Sequence, residues 1–141
     1  MKSLGVAGCK FCELVSQDPE ERVSRTCFEN VLFLVIEDAY PVSPGHRLVI
    51  PKRHGIDFTT MQPGTVGGLG KILLQETESV MRELGCDGVN VGTNVGTAAG
   101  QTIFHTHWHI IPRWEGDSPF PTGGIRKVID GKGSYRELPE D

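Results

Sequence analysis

Val31-Leu32-Phe33-Leu34-Val35-Ile36 is a continuous apolar run of strand length, and His46-Arg47-Leu48-Val49-Ile50-Pro51 returns as a second one. Between them, Asp38 to Gly45 holds Pro41, Pro44 and Gly45, which make turns. A short apolar run bounded by turn residues suits a strand covered on both faces. Two such runs joined by a turn predict an antiparallel meander. Upstream, Val23, Arg25, Cys27 and Glu29 alternate over Arg22 to Glu29 as in an edge strand, with Glu29-Asn30 as the turn.

Downstream, Val66, Leu69, Ile72 with Leu73, Val80 and Leu84 recur at near-helical spacing, so Thr65 to Leu84 predicts a helix that Gly85 closes. Gly67, Gly68 and Gly70 weaken its first turns by about 1 kcal/mol each relative to alanine. Val89 to Asn94 predicts another strand, the small residues of Val95 to Gly100 a loop, and Thr102 to Ile111 a further strand. Residues 113–141 carry many Gly, Pro and charged positions and predict an extended tail packed along a surface. The sum is an α+β domain over residues 1–141, an antiparallel sheet with one main helix.

At 141 residues and 15.4 kDa the chain has room for one ordinary domain. Hydrophobic residues make up 38% and charged residues 23%, which argues against a disordered chain. No window approaches the roughly 20 apolar residues of a membrane span, so no membrane role is expected. Met1 to Cys9 lacks the apolar core of a signal peptide, and the expected compartment is a reducing cytoplasm. The net charge is −4 and the 14 Lys and Arg residues are scattered, which disfavours nucleic acid as a partner.

In that compartment Cys27 and Cys86, each alone in apolar surroundings, read as buried thiols. Cys9-Lys10-Phe11-Cys12 is different, because its spacing lets two thiolates reach one metal. The densest chemistry lies in His105-Thr106-His107-Trp108-His109-Ile110-Ile111. On a strand the three histidines would share one face, with Thr106, Trp108 and Ile110 turned to the core. Three imidazoles in register are poor core residues, since each buried nitrogen needs a partner. One metal held by all three is awkward, because positions i and i+4 of a strand are about 13 Å apart. Beside them, the loop Gly96 to Gly100 has side chains small enough for backbone N–H groups to approach phosphate oxygens.

Gln101-Thr102-Ile103-Phe104-His105-Thr106-His107-Trp108-His109-Ile110-Ile111-Pro112-Arg113 resembles the signature of the histidine-triad (HIT) family of nucleotide hydrolases and transferases. Pro44-Gly45-His46-Arg47-Leu48-Val49-Ile50-Pro51-Lys52 resembles the family's second block, and the likeness runs from about Cys9 to Arg113. It implies a HIT-like fold in which two sheets join across a two-fold homodimer. The lone helix, too little to cover the apolar strands, points the same way, with Thr65 to Leu84 and Val89 to Thr93 as the pairing surface.

The resemblance also implies a chemistry. His107 would attack the α-phosphorus of a nucleotide, giving a nucleotidyl-histidine that water then hydrolyses. His109 would orient the ring and donate to a phosphate oxygen, and His46 would complete the cluster. Asn94, Gly100, Gln101 and Thr102 would lie at the α-phosphate, and Asp38 would accept from ribose hydroxyls. Phe11, Leu34 and Ile36 are candidates to sandwich the base, a purine. Some branches carry Cys-x-x-Cys and Pro-x-x-His, which makes Cys9, Cys12, His54 and His105 a candidate structural zinc site. With four ligands such a site has no open position for water, which disfavours a zinc hydrolase. Trp114-Glu115-Gly116-Asp117 resembles bacterial members that hydrolyse dinucleoside polyphosphates. A phosphorylase, in which phosphate attacks the intermediate, and a nucleotide-binding regulatory dimer with little turnover remain as alternatives.

Overall fold

The computed structural model describes residues 5–133. Among them, β1 (Thr26–Glu29), β2 (Phe33–Glu37), β3 (Arg47–Pro51), β4 (Gly88–Gly92) and β5 (Trp108–Arg113) form one sheet in the order β1-β2-β3-β5-β4. Every pairing is antiparallel, and the meander sets Leu34 opposite Ile50 and Val35 opposite Val49. The helices are α1 (Lys10–Ser16), α2 (Pro19–Arg22) and α3 (Pro63–Leu84). None of the described helices is long and apolar enough to cross a membrane.

β2 is covered on both faces because its side chains alternate between two cores. Phe33 and Val35 join Val49, Ile110 and the α3 residues Leu69, Ile72 and Val80. Leu34 and Ile36 join Leu48, Ile50 and the α1 residues Phe11 and Leu14. The apolar run is trimmed at its start. Asn30 Oδ1 accepts from the N–H groups of Leu32 and Phe33 at 3.0 and 2.8 Å, a turn that leaves Val31 exposed and starts the strand at Phe33.

α3 opens on Pro63 and ends at Gly85, whose left-handed φ of 63° lets its N–H donate to the Met81 carbonyl. Gly68 has a reason to be bare: a Cβ there would lie 3.2–3.3 Å from Leu32 and Phe33, so the helix can sit close to the sheet. The buried Glu76 accepts from Arg47 Nη1 at 3.1 Å, fixing α3 against β3.

Besides the later start of β2 and the start of α3 at Pro63 rather than Thr65, the structure departs from the sequence reading in four places. α1 and α2 were not anticipated, and the edge strand begins at Thr26 because Pro19–Arg22 is helical. β4 spans Gly88–Gly92, ending short of Asn94. The strand expected from Thr102 begins only at Trp108; Thr106 N–H donates to the Gly55 carbonyl at 2.8 Å, which draws the segment away from the sheet. In the expected tail, Arg113 belongs to β5, and a 3₁₀ turn at Gly124–Val128 rests on β4 with Ile125 near Gly92. Residues 1–4 of the N-terminal segment and 134–141 of the tail lie outside the described residues.

Candidate active site and metal centre

His109 sits in β5 opposite Leu48, His46 stands just before β3, and His105 and His107 lie in the bent segment leading into β5. Each ring's bonding partner fixes where its proton resides. His107 Nδ1 donates to the His105 carbonyl at 2.8 Å, leaving the Nε2 lone pair free. Thr93 Oγ1 donates to the His107 carbonyl at 2.6 Å and holds that backbone in place. Val42 N–H donates to His46 Nδ1 at 3.2 Å, so the neutral His46 carries its proton on Nε2 and donates to His109 Nδ1 at 2.9 Å. His109 is thereby left with its own proton on Nε2.

Charge reinforces these assignments. Burial, with His107 and His46 close by, pushes His109 down to about 4, against the pull of Asp38. Burial also lowers His46, again opposed by Asp38, whose Oδ2 lies 3.4 Å from His46 Nε2. Both rings are neutral near pH 7. The other Asp38 oxygen accepts from Tyr40 N–H at 2.8 Å, so the residue shapes its turn as well as facing the cluster.

A cavity of about 540 Å³ opens onto the histidines. His107, His109, Asn94, Gly100, Thr102 and Asp38 line it on the polar side, and Phe11, Leu14, Leu48 and Ile103 on the apolar side. Leu34 and Ile36 are fully buried beneath this wall and do not reach it, which corrects their expected contact with a base. Gln101 is also off the wall. It is buried, accepts from Gly96 N–H at 2.9 Å, and donates to the Ile56 and Ile103 carbonyls at 2.6 and 3.1 Å. Gln101 therefore braces the loop, and the loop brings Gly100, at φ +95°, to the cavity. Sequence reasoning missed Lys10, Glu13, Gln17, Arg25 and Tyr40 on the rim. The Lys10, Glu13, Leu14, Gln17 spacing on one helix face is a signal that could have found four wall residues together.

On the other side of the same segment, Cys9 Sγ, Cys12 Sγ, His54 Nδ1 and His105 Nδ1 all lie within 4.8 Å of one another. Cys12 Sγ lies 3.2 and 3.5 Å from His54 and His105 Nδ1, Cys9 Sγ lies 3.4 Å from His105 Nδ1, and the two nitrogens are 3.3 Å apart. A tetrahedral zinc, with bonds of about 2.3 Å to sulfur and about 2.0–2.1 Å to nitrogen, would space nitrogen from nitrogen and nitrogen from sulfur by about 3.3–3.6 Å, and the two sulfurs by about 3.8 Å. His105 Nε2 donates to the Pro51 carbonyl at 2.7 Å, so Nδ1 is the nitrogen free to ligate. The donor set fits zinc.

Residues 20–116 match the HIT domain model. The chain belongs to the HIT family. An uncharacterised HIT-like protein of Methanocaldococcus jannaschii is 35% identical, the alignment covering 86% of this chain and 92% of that one. An adenylylsulfatase of Arabidopsis thaliana is 34% identical over 84% of this chain, which spans 59% of the plant protein. A zinc-bound histidine triad protein from Mycobacterium smegmatis superposes with a TM-score of 0.70 at 37% identity, covering 81% of each chain. In this HIT chain Cys9 and Cys12 precede the matched span, whereas His54 and His105 lie within it.

Proposed function

We propose that this HIT protein is a nucleotidyl hydrolase or transferase that cleaves at the α-phosphate of adenylated compounds or dinucleoside polyphosphates. The observation that carries the reading is the His107 ring, held by the His105 carbonyl with its Nε2 lone pair free on the wall of a nucleotide-sized cavity. His107 Nε2 attacks the α-phosphorus; an N–P bond forms and the bond from phosphorus to the leaving group's oxygen, or to its nitrogen in a phosphoramidate, breaks. The leaving group keeps the bonding pair and takes a proton from solvent that the water of the second step returns. His109 Nε2–H and the polar wall at Asn94, Gly100 and Thr102 stabilise charge on the phosphoryl oxygens. Water then attacks phosphorus, the P–N bond breaks, and a nucleoside monophosphate and neutral His107 result. Asp38 is placed to accept from the ribose, and Phe11, Leu14 and Leu48 offer the base an apolar seat.

The adenylylsulfatase activity named for the plant relative is of this reaction class. The test is AMP release from a panel of adenosine phosphoramidate, adenylyl sulfate and diadenosine polyphosphates, with alkaline quenching to preserve a phosphoramidate. Wild type should release AMP and carry an adenylyl group on His107. Turnover with no adenylyl-protein at any quench time would refute the covalent route.

The zinc in this reading is structural. Its four protein ligands leave no position for water, and when bound it cross-links the N-terminal segment to the segment before β5. The protein acts as a two-fold dimer. Its pairing surface is the outer face of α3, where Val66, Leu74 and Met81 are exposed, together with the β4 edge of the sheet. Light scattering should give twice the 15.4 kDa chain mass; a stable, active single-chain species would refute the dimer.

A further inference from the structure

The metal centre and the cavity share one short helix. α1 has seven residues, fewer than the roughly 12–15 a helix needs to be more than marginal in water, so its placement depends on what holds each end. At its start the holding groups are the metal donors themselves. Cys9 is the N-cap, its Sγ accepting from Cys12 N–H at 3.3 Å, and Cys12 lies in the first turn. At its other end Arg22 donates through Nη1 to the carbonyls of Leu14 and Val15 at 3.3 and 3.4 Å, and through Nη2 to Glu29 of β1 at 2.7 Å. That anchor makes no use of the metal.

Phe11 lies between the two cysteines and is buried. Its ring meets the ligand His105 edge-on at 5.7 Å between centroids, and His107 at 5.2 Å. The same ring lines the cavity beside Lys10, Glu13, Leu14 and Gln17 of α1. One side chain therefore touches a metal donor, the proposed nucleophile and the ligand space.

We propose that metal occupancy and nucleotide occupancy are energetically coupled through the first turn of α1, with Phe11 as the positioning residue that carries the coupling. This rests on the nucleotide reading of the cavity. The two states are α1 with its first turn docked and α1 with that turn released. The metal binds only the docked state, because two of its donors belong to the turn. A nucleotide finds the Phe11 wall only in the docked state. Each ligand therefore favours the state that the other needs, and the factor must be the same in both directions.

The experiment measures AMP binding calorimetrically to the zinc-loaded full chain and to the chelator-stripped chain. It also measures zinc affinity by chelator competition with and without saturating AMP. AMP affinity should fall about tenfold or more on stripping, and zinc affinity should rise by the same factor when AMP is present. Phe11→Leu, which keeps an apolar side chain, should retain one zinc, weaken AMP binding to the loaded chain as the loss of a wall residue must, and shrink the ratio of loaded to stripped affinity towards one.

Equal AMP affinity with and without zinc would overturn the coupling while leaving the nucleotide reading intact. An unchanged factor in Phe11→Leu would overturn the role of that ring. Global unfolding on stripping, read by circular dichroism, would overturn it too, since the link would then be folding itself. Failure of the loaded protein to bind AMP at all would overturn the nucleotide reading and the coupling with it.

Discussion

His105 and His107 are separated by one residue and turned to opposite uses. At the metal centre, His105 gives its Nε2 proton to the Pro51 carbonyl and keeps its Nδ1 lone pair beside the two cysteine sulfurs, where a metal could take it. At the cavity, His107 gives its Nδ1 proton to the His105 carbonyl and keeps Nε2 open. The first ring is wholly enclosed, and the second is on a wall that solvent reaches. The same imidazole becomes a ligand or a candidate nucleophile according to which main-chain oxygen takes its proton. The surroundings then decide what approaches the remaining lone pair.

The largest expected effect breaks the pair apart. His107→Ala should lower turnover by several orders of magnitude and leave zinc content at one per chain, as elemental analysis would show. His105→Ala should do the reverse in kind, losing zinc and thermal stability. If His107→Ala also emptied the metal centre, the two rings would not be separate devices.

A smaller effect concerns the relay behind His109. His46→Gln removes the ring that donates to His109 Nδ1, and kcat should fall by roughly 10–100-fold, as for lost partners behind a working ligand. Nitrogen NMR of the imidazoles should show His109 losing its single tautomer, while zinc content stays constant. Retention of that tautomer would mean that His46 does not set it.

Acid should weaken the cavity side through His109. Its pKa falls from 6.5 to about 4 on folding, so the unfolded chain binds more protons between those values. The stability from keeping this ring neutral is complete above pH 6.5 and is lost as pH falls through about 4. His46 acts in the same direction. In His109→Asn, urea unfolding followed from pH 7 to pH 5 at constant zinc should therefore show a shallower decline than in wild type. Parallel declines would show that His109 does not carry the effect.

The smallest change probes the turn behind the relay. Ser43 Oγ donates to the Pro112 carbonyl at 2.7 Å, tying the loop that bears Val42 N–H to β5. Ser43→Ala should cost about 1 kcal/mol in denaturant unfolding. A loss well above that would show that the loop depends on this one bond.

The meander and α3 were legible because their signals are long and local: two apolar runs around a proline-rich turn, and a 22-residue helix with a glycine stop. α1 was not, since seven residues carrying Phe11, Cys12 and Leu14 give barely two turns of periodicity. The alternating histidines imitate a strand from Thr102 onward, but the bond from Thr106 to Gly55 spans 51 residues and no local pattern announces it. Site residue types could be read from spacing and resemblance. The tautomers could not, because the acceptors that set them are carbonyls of Pro51 and His105, and every residue has a carbonyl. Gln101 shows the same limit: its neighbours suggested phosphate contact, and its partners prove to be backbone groups of the loop it braces.

Phe11, Leu14 and Leu48 belong at once to the second hydrophobic core and to the wall of the cavity. The cavity is thus the open flank of that core. A ring entering it would remove apolar surface from water as folding does, so association should carry a negative heat-capacity change. Its enthalpy would then grow steadily more favourable on warming, a thermal signature of apolar surface leaving water on association.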